Sequence, residues 1–182
     1  MSLIVETGTG ASDSESYLSV VDADTYHLNR GNTLWATITT LEKEQALRRA
    51  TDYMMGKYRL RWLGRRVLIT QALDWPRVGV VLEDFGGSQG RAGMGSYGLF
   101  QVPYTIVPLE VKNACAELAM RATMGPLVDD VSQNVTQETI GPITVKYDTT
   151  SPQYVRYLQI DQMIRVYLSA GGNVNMVKLG RS

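Results

Sequence analysis

The side chains with the widest chemical reach are scarce in this chain. His27 and Cys115 are each the single residue of their kind among 182. Imidazole-assisted nucleophilic catalysis needs a base beside a serine or cysteine, with a third group to orient it. His27 lies beside Tyr26 in a short helical stretch with no such motif around it, and Cys115 falls on an apolar, alanine-rich stripe. A metal site needs several ligands at matched spacing, which one histidine and one distant cysteine do not supply. Asp129 and Asp130 are adjacent, so they point apart, and they stand where a turn favours aspartate. The run from Gly93 to Gly98 fits the G-x-G-x-x-G pattern of dinucleotide sites. That fingerprint requires a strand before it and a helix after it, and no helix start follows between Leu99 and Pro103. No catalytic residue, cofactor or metal is expected, and the chain is read as non-enzymatic.

One cluster has binding chemistry. Arg59, Arg61, Arg65 and Arg66 surround Trp62. Guanidinium groups neutralise phosphates and an indole stacks on a base, the combination that single-strand binders use. The same residues suit a subunit interface or the wall of a DNA channel. The formal net charge of zero argues against a dedicated nucleic-acid binder.

The charge is nevertheless unevenly placed. Residues 46–77 carry eight basic and two acidic side chains, whereas residues 1–45 carry two basic and seven acidic. Opposite patches of this kind suit head-to-tail association of identical copies. With 44% hydrophobic residues the chain can build a core without disulfides. No stretch reads as a signal peptide or approaches a membrane span, so a protein made in the cytoplasm, with no membrane partner, is expected.

The elements that must position these residues are mainly helical. Ser19, with Asp22 and Asp24 behind it, caps a helix over 20–30 that Gly31 stops. Thr39 and Glu42 have capping-box spacing ahead of a long amphipathic helix that ends near residues 56–58. A shorter apolar piece over 67–75 is ended by Pro76. Pro108 opens a third helix, whose stripe of Val111, Ala114, Cys115, Leu118, Ala119 and Ala122 suits a central position, and Gly125-Pro126 stops it. Alternation over 133–147 predicts a β-hairpin turning at 140–142. Ser151-Pro152 starts a final helix that runs to Gly171-Gly172. The expected organisation is an extended N-terminal arm (1–18), a small helical bundle (19–170) with a long glycine-rich excursion (78–103), and a C-terminal tail (171–182).

In order along the chain, Glu6 to Gly10, Ser16-Tyr17, Ala23 to His27, Trp35, Leu47 to Tyr53, Gly64 to Arg66, Gln71 to Arg77, Val111 to Ala114 and Gly141-Pro142 form a pattern. It resembles the head-tail connector (adaptor, head completion) proteins of tailed bacteriophages, some of which are labelled DnaT-like single-stranded-DNA-binding proteins. The resemblance implies a helical adaptor forming a ring, commonly of twelve copies, beneath the portal protein. It implies contact with tail, nozzle or tail-terminator proteins, genomic double-stranded DNA passing through the centre without sequence-specific binding, and a place in the virion neck. The C-terminal region would dock on the portal, with Tyr154, Tyr157, Arg165, Val174, Met176, Val177 and Leu179 as candidates. The label carried by some members implies the alternative, a single-strand DNA binder.

Overall fold

The computed structural model describes residues 2–82, 101–128, 137–140, 143–146 and 156–169. The described elements are α1 (Val20–Leu28), α2 (Thr33–Thr37), α3 (Thr40–Tyr58), β1 (Arg65–Arg66), β2 (Arg77–Val78), α4 (Leu109–Met124), β3 (Gln137–Ile140), β4 (Ile143–Lys146), α5 (Leu158–Met163) and a 3₁₀ turn (Arg165–Tyr167). The expectation of a mainly helical fold with an antiparallel hairpin near residue 143 holds, and β1 and β2 form a second antiparallel pair that was not expected. In that hairpin Gln137 faces Lys146 and Ile140 faces Ile143.

The helix starts follow the local chemistry. Ser19 accepts from the Asp22 amide at the head of α1, and Thr39 and Glu42 close a reciprocal capping box on α3. The core forms where α3 packs on α4. Leu47, Ala50, Met54 and Tyr58 of α3 are fully buried, as are Val111, Ala114, Cys115, Leu118 and Ala119 of α4. The small side chains on α4 let the two backbones approach closely. Each buried leucine at such a contact stabilises by about 1.5–3 kcal/mol.

Several expectations are corrected. The first eighteen residues are not a loose arm. Glu6, Ser16 and Tyr17 are fully buried, Val5 bridges to Ser16, and the Glu15 and Ser16 amides both donate to the Ile4 carbonyl. Burial of Tyr17 and Leu18 against the bundle, together with internal satisfaction of polar groups, orders this stretch without a partner. The short helix α2 lies between the two expected helices, in a stretch to which no element was assigned, with Trp35 inserted into the core. Residues 67–76 form turns rather than a regular apolar element, and the Trp75–Pro76 peptide is cis. The excursion opens on a paired base, because Val81 bridges to Gln101 and the Val102 amide donates to the buried Val80 at 2.9 Å. The final helix is short and gives way to the 3₁₀ turn, well before residue 170. Residues 83–100 of the glycine-rich excursion, the hairpin turn at 141–142 and the tail 171–182 lie outside the described residues.

Candidate nucleic-acid interface

Past the end of α3 the backbone tightens. The Arg61 and Trp62 amides both donate to the Tyr58 carbonyl, at 2.8 and 3.1 Å. This turn leaves Arg59 and Leu60 outside and drives Trp62 inward. The Trp62 ring lies 5.7 Å from both Tyr58 and Trp75, and Trp75 meets Tyr167 edge-on at 5.5 Å. Trp62 is only 5% exposed. An indole inside an aromatic cluster has no face to offer a base, so the expected stacking platform is absent at this residue. The indole Nε1 atoms of Trp62 and Trp75 have no hydrogen-bond partner among the described residues.

The next segment is fastened from below. Arg65 and Arg66 pair in antiparallel register with Val78 and Arg77. Gly64 reaches φ +66°, and a Cβ there would collide with the Val78 carbonyl, so only glycine permits this pairing. Arg77 is buried and spends its guanidinium on three backbone carbonyls, those of Leu63, Gly64 and Asp74, at 2.7–3.1 Å. Burial holds its pKa below the ordinary arginine value. The Gln71 side chain accepts from the Leu68 amide and donates to the carbonyls of Leu73 and Pro76. The Asp74 amide donates to the Tyr17 hydroxyl at 3.0 Å, and its carboxylate accepts from Arg59 Nε at 2.9 Å. The side chains of Gln71 and Arg77 are thus occupied in shaping the loop.

What faces outward is arginine. Arg65 and Arg66 are exposed, and Arg66 donates to the Gln71 carbonyl at 3.2 Å. Arg61 leans over the Tyr58 ring at 5.9 Å. None of the three pairs with an acid among the described residues, while Arg59 is half-exposed beside Asp74. Leu60 and Ile69 stand 96% and 91% exposed in the same loop, so the face mixes charge with apolar contact area. The 3₁₀ turn adds Arg165, which is exposed. Its segment meets the cluster directly, for the Tyr167 carbonyl accepts from the Leu63 amide at 2.8 Å.

Among the other expected docking residues, Tyr157 packs edge-on against Tyr53 and its hydroxyl donates to the Leu127 carbonyl, which makes it part of the bundle. Tyr154, Val174, Met176, Val177 and Leu179 lie outside the described residues.

The two residues with catalytic potential are both committed to the interior. His27 Nε2 lies 3.2 Å from the Ala116 carbonyl and Nδ1 lies 2.9 Å from the Asn32 amide nitrogen, with Trp35 against the ring. The geometry fixes a neutral imidazole that donates from Nε2 and accepts at Nδ1, and burial lowers its pKa. Cys115 is fully buried, 3.5 Å from the Thr51 hydroxyl, and burial raises its thiol pKa, the opposite of activation.

With the fold and this face described, the class is that of a small helical protein presenting an arginine-rich loop. A family model described as DnaT-like ssDNA binding protein matches residues 1–182, and the chain belongs to that family. No curated protein and no solved structure matches it. No helix among the described residues is long and apolar enough to cross a membrane.

Proposed function

We propose that this chain is a non-catalytic head-tail connector subunit of a tailed bacteriophage, and that it meets nucleic acid through phosphate rather than through bases. The observation that carries the mode of contact is the burial of Trp62 beside the exposed Arg65 and Arg66 and the half-buried Arg61. Arginines without an accessible aromatic partner neutralise a backbone irrespective of sequence, which suits a channel wall. The connector assignment is supported by the ordered residue pattern it shares with those proteins. In this reading copies form a ring, commonly of twelve, between portal and tail proteins in the virion neck. The exposed Leu60 and Ile69 supply apolar area for protein contact.

The family description favours a second reading, a single-strand DNA binder. It needs a stacking surface elsewhere, and Tyr104, 57% exposed, is a candidate among the described residues. Fluorescence anisotropy with single- and double-stranded oligonucleotides across a salt series separates the two. The connector reading expects weak binding to both, lost by physiological salt. Replacing Arg65 and Arg66 by alanine should shrink the slope of log affinity against log salt by roughly one per phosphate contact removed. A strong single-strand preference that survives physiological salt and disappears in Tyr104→Ala would replace the connector reading.

A further inference from the structure

The most completely coordinated side chain outside this face is Glu6. Its carboxylate is fully buried and forms no ion pair among the described residues. Oε1 accepts from the amides of Gly8, Thr9 and Gly10 at 2.7, 2.8 and 3.0 Å, and Oε2 accepts from the Ala11 amide at 3.0 Å and the Ser14 hydroxyl at 3.1 Å. Four successive amides converging on one anion form a nest, and charge-assisted bonds of this kind offset the cost of burying a carboxylate.

The nest lies against the arginine loop. Gly8, at φ +106°, lies so close to the Thr105 carbonyl that no Cβ fits. The Ala11 carbonyl accepts from the Ala72 amide at 3.0 Å. A Cβ on Gly10 would lie 3.3 Å from Leu68 and 3.5 Å from Gln71, so these residues already sit in near contact. Gln71 in turn holds the Leu68 amide through its side chain and Arg66 through its carbonyl. A short, continuous chain of contacts therefore runs from the carboxylate to β1.

We infer that residues 8–11 are an anion-binding nest selective for small carboxylates, that Glu6 is its built-in ligand, and that by filling it Glu6 acts as a positioning residue for the arginine loop. Removing the carboxylate leaves four amides, those of Gly8 and Gly10 buried, without their acceptor, so the loop they belong to and the 65–72 segment resting on it should open together.

The test is tryptic cleavage after Arg65 and Arg66, mapped by mass spectrometry under native conditions, with sodium formate as the probe. In Glu6→Ala the cleavage rate should rise about tenfold, tracking the opened population. Formate should return it toward the wild-type rate, while sodium chloride at equal ionic strength should not. Formate should not rescue Glu6→Gln, whose amide still fills the space. Cleavage of Glu6→Ala at the wild-type rate, or equal protection by formate and chloride, overturns the inference. Should Glu6→Ala fail to fold, Ser14→Ala removes one donor of five and should raise cleavage about two- to threefold; no rise there overturns it equally. The positioning role concerns the face read as phosphate-binding, but cleavage involves no nucleic acid. A wild-type chain that binds no oligonucleotide defeats the proposed function alone, and unchanged cleavage defeats this inference alone.

Discussion

Arg59 Nε donates to Asp74 Oδ1 at 2.9 Å and so joins a half-exposed guanidinium to a fully buried carboxylate. Asp74 Oδ2 has no hydrogen-bond partner among the described residues, which leaves Arg59 as the main support of that charge. Arg59→Ala should therefore destabilise by about 1–3 kcal/mol, the cost of a buried acceptor left unpaired. Asp74→Asn removes the charge but keeps an acceptor for Arg59, and it should cost less. Urea unfolding of the two variants checks the order; an Asn variant weaker than the Ala variant would refute it.

Trp62 is a core residue between Tyr58 and Trp75. Trp62→Ala should cost about 3–5 kcal/mol through the cavity it leaves. Trp62→Phe should cost less and leave any oligonucleotide affinity at the wild-type value. Loss of affinity in a folded Phe variant would mean that the indole reaches the ligand.

The pKa of His27 is lowered by burial, and the groups facing it are Glu117, Asp24, Arg30 and Asn32. The unfolded chain takes up the proton near the ordinary histidine value of about 6.5, whereas the folded chain resists it. More protons are then bound by the unfolded state, so stability is complete above that value and falls as pH drops through it toward the folded pKa. Thermal unfolding of wild type and His27→Gln between pH 7.5 and 5, with both values about the range set by that titration, should show a slope that the variant lacks.

The capping box on α3 offers a local test. Thr39→Ala should lower stability by about 0.5–2 kcal/mol, and Thr39→Ser should lie close to wild type. Denaturation midpoints read the difference, and equal losses for both would show that the hydroxyl is not the source.

Helix starts and stops were legible in the residues because caps, prolines and apolar stripes act over one or two turns. Ser19, Thr39, Pro108 and Gly125 mark ends that the fold keeps, and the alternation near residue 143 marks a true hairpin. The role of Cys115 as a small buried apolar residue was legible in the same way. The arginine face was visible as a cluster, but not which of its members faced solvent.

Those choices rest on partners far apart in the chain. Trp62 reads as a stacking residue until Trp75 and the strand-like bridge to Leu168 close around it. Arg77 reads as one more surface cation until three carbonyls enclose it. The N-terminal stretch reads as unanchored because its donors are backbone amides, which have no residue-type signature; only Glu6 followed by closely spaced glycines hinted at them. The sequence by itself determined the helical periods, their caps and the positions of charge, since these depend on neighbours within a few residues. Burial was decided only by tertiary structure, because whether an indole or a guanidinium meets water depends on which distant segments arrive to cover it.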